Sequence, residues 1–287
     1  MSGLDLLERH VDTPLGRVRI QVGGSGETMV FWPSLLMTGD LWAGQAAHFA
    51  QGNQVVLVDP PGHGGSEPLR RTFTFDECAE VIAAILDDVG APAADIVGNS
   101  WGGMIGATFA ATHPDRTRHA VVMNCTASAA GRRQRAEFLL MLRIASLLNG
   151  VRAPLTSRVL KAFLGPTTLA WRPDVVDFVR RSVESVNISS AAHAVRSVVP
   201  HRPDQIDLMG RISAPTLVVA GAEDTTFTPG ETRLMADAIP GSRFVVLDGR
   251  SPPGSRGGSC TGECTDRGAS REGLRRARRR IDAARRP

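Results

Sequence analysis

Residues 98–102, Gly-Asn-Ser-Trp-Gly, contain the side chain best suited to covalent chemistry, the hydroxyl of Ser100. They follow a short strand-like run at 95–97 and precede a segment, 104–112, that is predicted to be a helix. Gly-x-Ser-x-Gly between a strand and a helix is typical of a nucleophile elbow, a turn so sharp that its serine is held in a strained backbone conformation. The pattern predicts that Ser100 is a nucleophile and that the backbone N–H of Trp101 points at the reaction centre.

The elements that would position this turn follow a regular alternation. Apolar runs predict strands at 17–22, 28–32, 55–58, 95–97, 120–123, 216–220 and 244–247. Helices are predicted at 41–49, 74–89 and 104–112, and the second of these opens with a Thr74/Glu77 capping box. Continuously apolar strands such as 55–58 are typical of buried parallel sheets. The alternation therefore predicts an α/β fold with a mostly parallel, doubly wound sheet covered on both faces.

The alternation stops between residues 127 and 212, where only helical patterns occur, at 133–148, 155–164, 173–186 and 191–199. A segment of that length is too long for a loop in a compact domain. We therefore predict a core formed by residues 1–126 and 213–249, a helical cap formed by residues 127–212, and a disordered Arg- and Gly-rich tail formed by residues 250–287. Cap arginines at positions 132, 133, 135, 180 and 181 could contact an acidic substrate, although solvated helix faces are the favoured explanation.

Charge is distributed unevenly along the chain. The net charge is +4, but residues 250–287 hold eleven arginines against four acidic residues, which leaves residues 1–249 at about −3. The tail has no aromatic residue on which a base could stack, so we predict no nucleic-acid partner.

The sequence also indicates where the protein is located and what it binds. No stretch is long and apolar enough to span a bilayer, and no secretory leader pattern opens the sequence. Cys78 and Cys125 lie in apolar runs, as buried free thiols do. We predict a cytoplasmic protein with a small-molecule partner, no membrane partner and an undetermined oligomeric state.

Four motifs together resemble the α/β-hydrolase superfamily, and the resemblance covers residues 1 to about 249. They are Trp-Pro-Ser-Leu at 32–35, Asp-Pro-Pro-Gly-His-Gly-Gly-Ser at 59–66, the elbow at 98–103, and Gly-Ala-Glu-Asp at 221–224. Within the superfamily the chain is most similar to the 3-oxoadipate enol-lactonase and esterase branch. The resemblance implies a serine hydrolase that acts on a carboxylic ester or lactone through a Ser-His-Asp acyl-enzyme mechanism, without a metal or organic cofactor. Carbon–carbon bond hydrolases and perhydrolases use the same serine frame.

The resemblance also implies a role for residues outside the elbow. The oxyanion hole would combine the Trp101 N–H with a backbone N–H from the turn after strand 28–32. Because Pro33 has no N–H, the candidate is Ser34, with Leu35 second. The acid that orients the base would follow strand 216–220, which makes Asp224 the candidate and Glu223 the lesser one. His63 and Asp59, in the Gly-rich loop, are interpreted as non-catalytic turn residues.

The histidine base is missing from its expected place. In this fold the triad runs Ser, acid, His along the chain, yet all seven histidines, at 10, 48, 63, 113, 119, 193 and 201, precede Asp224. Relatives would continue after Gly249 with a sequence like Ala-Gly-His and an amphipathic helix. Beyond residue 249 the only large aliphatic residues here are Leu274 and Ile281, so the tail offers no face that could cover a sheet.

A frameshift near Gly249 would explain the departure. With Gly, Arg, Ser and Pro encoded as GGN, CGN, TCN and CCN, reading from the second base of the Gly249 codon yields GNC, GNT, CNC and CNC. These triplets can encode Ala-Gly-His-Leu, with the histidine triplet overlapping the Ser251 codon. The alternatives are a natural divergent tail, a non-catalytic relative of the hydrolases, and a base supplied by His193 or His201 from the cap.

Overall fold

An eight-stranded sheet forms the centre of the computed structural model, which describes residues 4–249. Its strand order is β1-β2-β4-β3-β5-β6-β7-β8. The strands are β1 (Leu7–Thr13), β2 (Gly16–Gly24), β3 (Glu27–Trp32), β4 (Asn53–Val58), β5 (Ala94–Asn99), β6 (Thr117–Met123), β7 (Thr216–Gly221) and β8 (Arg243–Leu247). β2 pairs antiparallel with both β1 and β4, and every other pairing is parallel, which confirms the predicted fold class.

Helices cover the sheet and extend beyond one of its ends. They are α1 (Ala43–Phe49), α2 (Phe75–Asp88), α3 (Trp101–Thr112), α4 (Arg132–Leu147), α5 (Leu155–Phe163), α6 (Pro166–Trp171), α7 (Pro173–Ser185), α8 (Ile188–Val198), α9 (Ile206–Met209) and α10 (Pro229–Ala238). The predicted capping box at the start of α2 is present, because Thr74 and Glu77 each accept a hydrogen bond from the other's backbone N–H. Within residues 4–249 no helix is both long and apolar enough to cross a membrane.

Alternate residues of the strands face two separate apolar layers. On one face Val30, Val56, Ile96 and Val122 pack in a core with α2, α3, α10 and the helices from α4 to α9. On the other face the intervening residues pack with Trp42 and the α1 side chains, in a smaller core. This period-two alternation is what a strand buried on both faces requires.

The helices from α4 to α9 lie consecutively between β6 and β7, and no strand interrupts residues 124–215. This matches the predicted helical insertion, while the division into core, cap and tail at residues 127, 212 and 250 stays a prediction. The tail at 250–287 lies outside the described residues. Strand β1 was not predicted, because only Val11 of its seven residues is buried and its sequence therefore shows little apolar alternation.

Candidate active site

Ser100 lies at the tip of a tight connection between β5 and α3. Its backbone has φ 56° and ψ −115°, a region that a non-glycine residue rarely occupies. The Ser100 N–H donates to the Met123 carbonyl of β6 (2.8 Å), and the Ser100 carbonyl accepts from Met104 N–H in α3 (3.0 Å). These two bonds fix the strained residue between strand and helix, as the elbow motif predicts.

The glycines flanking Ser100 are required by close backbone approach. A Cβ at Gly98 would overlap the Gly102 carbonyl, and a Cβ at Gly102 would overlap the carbonyl of Trp32 at the end of β3. Trp101 is the first residue of α3, so its N–H is one of the first-turn amides without an acceptor inside the helix. That N–H is therefore available to a ligand beside Ser100.

The turn after β3, which holds the second candidate N–H, is strained as well. Met37 N–H donates to the Ser34 carbonyl (3.1 Å), and Leu36, at the third position of the turn, has φ 63°. A positive φ at that position normally selects glycine, so a leucine there is held against its own preference. Ser34 itself is buried, at 4% exposure.

His63 holds this turn in place. Its Nε2 accepts a hydrogen bond from Leu36 N–H (3.2 Å), so its Nδ1 must carry the proton and donate to the Pro61 carbonyl (3.0 Å). Burial lowers the pKa of His63, which keeps the imidazole neutral and able to accept. Both ring nitrogens are thereby occupied by backbone groups, and His63 is unavailable as a proton acceptor for Ser100.

Asp59 is also occupied by structural contacts. Its carboxylate accepts from Gly39 N–H and Gly65 N–H (both 2.9 Å) and pairs with Arg19 at 2.9 Å. Together with His63, it organises the Gly-rich loop, in agreement with the interpretation of both as turn residues.

Asp224 follows β7, the strand next to β6, so its loop lies at the same edge of the sheet as Ser100. Its Oδ1 accepts hydrogen bonds from Thr226 N–H (2.8 Å) and Phe227 N–H (2.9 Å). These bonds fix the half-buried carboxylate. The neighbouring Glu223 accepts instead from both the N–H and the hydroxyl of Thr167 at the start of α6. Glu223 therefore connects the loop at 221–224 to the helical insertion. Because its carboxylate oxygens are both occupied by Thr167, Asp224 is the better candidate for the acid.

Burial raises the pKa of Asp224 above its ordinary value, and the two backbone hydrogen bonds oppose this only in part. A carboxylate whose folded-state pKa lies above its unfolded value destabilises the fold. The penalty is absent below the unfolded pKa and grows as the pH rises through the interval between the two values. We expect Asp224→Asn, which keeps the Oδ1 acceptor, to raise the free energy of unfolding at pH 7.

Urea unfolding of the parent and Asp224→Asn from pH 7 down to pH 4 measures this effect. We expect the gain to shrink as the pH falls, since the parent carboxylate then becomes protonated. Asp12→Asn, at an exposed position on β1, is the matched control and should show no such gain. A stability difference that grows toward low pH would contradict the assignment of a buried, destabilising carboxylate.

A cavity of about 650 Å³ adjoins these residues. Its wall contains Ser34, Asn99, Asn124 and Asp224 from the edge of the sheet. The wall is also formed by residues 161–165, from α5 and the segment after it, and by Asp174, Val175, Phe178 and Val179 of α7. Ser100 is not part of this wall, and the cavity reaches the elbow through Asn99 and Ser34. Gly249, at the end of the described chain, also lines it.

The structure thus brings the predicted residues Ser34, Ser100, Trp101 and Asp224 to one edge of the sheet, but no histidine follows Asp224 in the sequence. Two further residues at this edge were not predicted to belong to the site. Asn99 and Asn124 form a hydrogen-bonded bridge across that edge, and only the position of Asn99 inside the elbow motif hinted at it.

Comparison with known proteins gives the class. The family model described as alpha/beta hydrolase fold matches residues 27–250, so the chain belongs to this family of hydrolases. The chain is similar to 3-oxoadipate enol-lactonase 2 of Acinetobacter baylyi, with 27% identity over 77% of the chain and 80% of the relative. It is also similar to a pimeloyl-[acyl-carrier protein] methyl ester esterase of Neisseria meningitidis, with 29% identity over 68% and 73%.

The fold is shared with solved structures. A hydrolase from Pseudomonas aeruginosa PA01 superimposes with a TM-score of 0.76 at 24% identity, and covers 84% of this chain and 89% of its own. The family match ends at residue 250, next to the place where the sequence becomes rich in arginine and glycine.

Proposed function

We propose that this chain is built as a serine hydrolase for a carboxylic ester or lactone, with Ser100 as the nucleophile. The observation that supports this most directly is the positive φ of Ser100, a non-glycine residue held between β5 and α3. Strain of this kind persists only where surrounding contacts over-determine the conformation, and it is concentrated at catalytic positions. The 3-oxoadipate enol-lactonase and methyl ester esterase among its relatives favour the same class of substrate.

In the proposed mechanism the Ser100 oxygen attacks the substrate carbonyl, and a base removes the hydroxyl proton. The carbonyl oxygen becomes an oxyanion, which the N–H groups of Trp101 and Ser34 stabilise. The tetrahedral oxyanion then collapses, the acyl carbon–oxygen bond of the substrate breaks, and the leaving oxygen takes the proton from the base. Water, deprotonated by the same base, next attacks the acyl-serine ester, and the Ser100 oxygen leaves with that proton. Asp224 would orient the base and stabilise its charged form.

We further propose that the base is absent because the reading frame shifts at Gly249. Ala222 N–H donates to the Leu247 carbonyl (2.9 Å), and a Cβ at Gly249 would lie 3.0 Å from the Glu223 carboxyl group. Residues 247–249 therefore lie beside the loop that holds Glu223 and Asp224, at the point where the reading frame would change. A histidine at position 251, which the shifted triplets allow, would be two residues from that contact.

The composition of the tail supports the same interpretation. Read one base later, each CGN arginine codon and each GGN glycine codon becomes a triplet that begins GN. Such triplets encode Ala, Val, Asp, Glu or Gly, so the eleven arginines and six glycines of residues 250–287 would be replaced by acidic or small residues. Alanine and glutamate favour helices, and alanine and valine supply the apolar face that a covering helix needs.

The absence of a histidine after Asp224 favours a second candidate function for the chain as it stands. It would then bind small-molecule esters or lactones with strongly reduced turnover, because loss of a triad member leaves only the oxyanion hole and binding. The cavity under α5 and α7 supports a small-molecule partner, with those helices as part of a cap. Buried free thiols at Cys78 and Cys125 support a reducing, cytoplasmic location.

Labelling with a fluorophosphonate probe tests the nucleophile. We expect slow but measurable labelling of one residue, Ser100, and at least a 100-fold loss of labelling in Ser100→Ala, because within residues 4–249 no other serine has a positive φ. Mass spectrometry of the modified peptide gives the position. Ser128→Ala, which removes a partly buried serine elsewhere, is the matched control. Equal labelling of the parent and Ser100→Ala would contradict the proposal, whereas near-normal ester turnover by the parent would show that another group replaces the base.

A further inference from the structure

A chain of side-chain hydrogen bonds crosses four strand ends at the edge of the sheet. The backbone N–H of Gly221, at the end of β7, donates to Asn124 Oδ1 (2.8 Å). Asn124 Nδ2 donates to Asn99 Oδ1 (2.9 Å), and Asn99 Nδ2 contacts Ser34 Oγ (2.7 Å). These hydrogen bonds link four segments: the loop that holds Asp224 after β7, the end of β6, the elbow after β5, and the turn that holds Ser34 after β3.

The direction of every bond in this chain is fixed from one end. A backbone N–H can only donate, so the Asn124 atom facing Gly221 must be the oxygen. The Asn124 atom facing Asn99 is then the amide nitrogen, which requires the Asn99 oxygen opposite it. The Asn99 nitrogen consequently faces Ser34 and donates to its hydroxyl oxygen. Turning either amide over would place two donors or two acceptors in contact.

The last link leaves the Ser34 hydroxyl with a hydrogen to donate. Its oxygen accepts from Asn99, and within residues 4–249 no acceptor receives its O–H. Ser34 is 4% exposed and lines the 650 Å³ cavity together with Asn99, Asn124 and Gly221. A hydroxyl polarised by two amides and a backbone N–H is a stronger donor than an isolated one, because successive hydrogen bonds reinforce each other.

We propose that the Ser34 hydroxyl donates a hydrogen bond to the carbonyl oxygen of the bound ester or lactone, in addition to the backbone N–H groups of the oxyanion hole. Asn99 and Asn124 are positioning residues that set the direction of this donor. The inference rests on the proposed function, since it concerns the same substrate carbonyl. It also gives the elbow a reason to hold asparagine beside the nucleophile.

The most direct test is a substitution at Asn124 that reverses the hydrogen bonds joining Asn124, Asn99 and Ser34, while Ser34 itself stays unchanged. In Asn124→Asp the carboxylate still accepts from Gly221 N–H but cannot donate to Asn99. The Asn99 amide then turns over, and the Ser34 hydroxyl donates to the Asn99 oxygen rather than into the cavity. We expect Asn124→Asp and Ser34→Ala each to slow fluorophosphonate labelling of Ser100 by about 10- to 100-fold, because the phosphonyl oxygen loses a donor. The double variant should be no slower than the slower single variant.

Two controls separate this effect from charge and from folding. Ala222→Asp introduces a carboxylate on the same cavity wall without altering the chain, so it reports the effect of charge alone. Ser197→Ala removes a buried hydroxyl that accepts from Phe73 N–H outside the cavity wall, and should leave labelling unchanged. Thermal unfolding of each variant verifies that the protein used for labelling is folded.

A second probe, butyrate, keeps the inference testable if the nucleophile proposal fails. Butyrate carries the carboxylate oxygens of an ester-hydrolysis product, and its dissociation constant is measured by chemical-shift titration. We expect about 5- to 10-fold weaker binding in Ser34→Ala, which adds no charge, as the loss of one hydrogen bond predicts. Absence of Ser100 labelling in the parent contradicts the proposed function alone. A measurable labelling rate, or a butyrate affinity, that is the same in the parent and in Ser34→Ala overturns the Ser34 inference.

Discussion

Removing one nucleotide from the Gly249 codon should raise kcat/KM for p-nitrophenyl butyrate by about 10⁴-fold or more. The shifted frame allows a histidine at position 251, beside the acid loop, while residues 1–248 stay unchanged. In a serine hydrolase the loss of the histidine alone costs about as much as the loss of the whole triad, roughly 10⁶-fold in kcat. Restoring it should therefore recover most of the rate that the present chain lacks. Ester hydrolysis followed at 400 nm under first-order conditions measures the change.

The frame-corrected chain also provides its own control. Replacing the new histidine with glutamine keeps the restored C-terminal sequence but removes the base, and should return the rate to that of the present chain. Asp224→Asn should lower kcat by about 10⁴-fold in the corrected chain, because the histidine is then held in the wrong tautomer. The same substitution should leave the ester turnover of the present chain unchanged, because no histidine follows Asp224 there. A corrected chain with unchanged turnover would show that the frameshift is not the reason for the missing base.

The elbow could be predicted from the sequence because its constraints are local. Gly98 and Gly102 are required by atoms within four residues of Ser100 and by one neighbouring strand, so the residue types themselves report the geometry. Asp224 was predictable for a related reason. The loops after parallel strands meet at one edge of the sheet, and a carboxylate after β7 therefore lies at the same edge as Ser100 after β5.

The supporting contacts could not be predicted in the same way, since they join residues far apart in the chain. His63 reaches the strained turn at Leu36 across 27 positions, and Asn124 reaches Gly221 across 97. A histidine or asparagine in a loop has many possible partners, and only the folded arrangement selects one. The direction of the hydrogen bonds between Asn124, Asn99 and Ser34 is harder still to predict from the sequence, because it depends on a single donor, the backbone N–H of Gly221.

Gly102→Ala should lower the free energy of unfolding by about 3 kcal/mol. The added methyl group would overlap the Trp32 carbonyl and approach the Pro33 carbonyl at 2.9 Å, and neither backbone group can rotate away as a side chain could. Relief requires α3 to move away from the end of β3. That movement separates Trp101 N–H from Ser34, so labelling of Ser100 should fall together with stability.

Gly44→Ala is the matched control for this substitution. Gly44 lies in α1, and nothing is within 4 Å of the Cβ that alanine would add. Alanine in a helix is favoured over glycine by about 0.5–1 kcal/mol, so this variant should be as stable as the parent or slightly more stable. Urea unfolding measured for both variants at pH 7 gives the comparison. If Gly102→Ala and the parent unfold at the same urea concentration, α3 and β3 are not in close contact at Gly102. The proposed oxyanion hole, which depends on that contact, would then have to be abandoned.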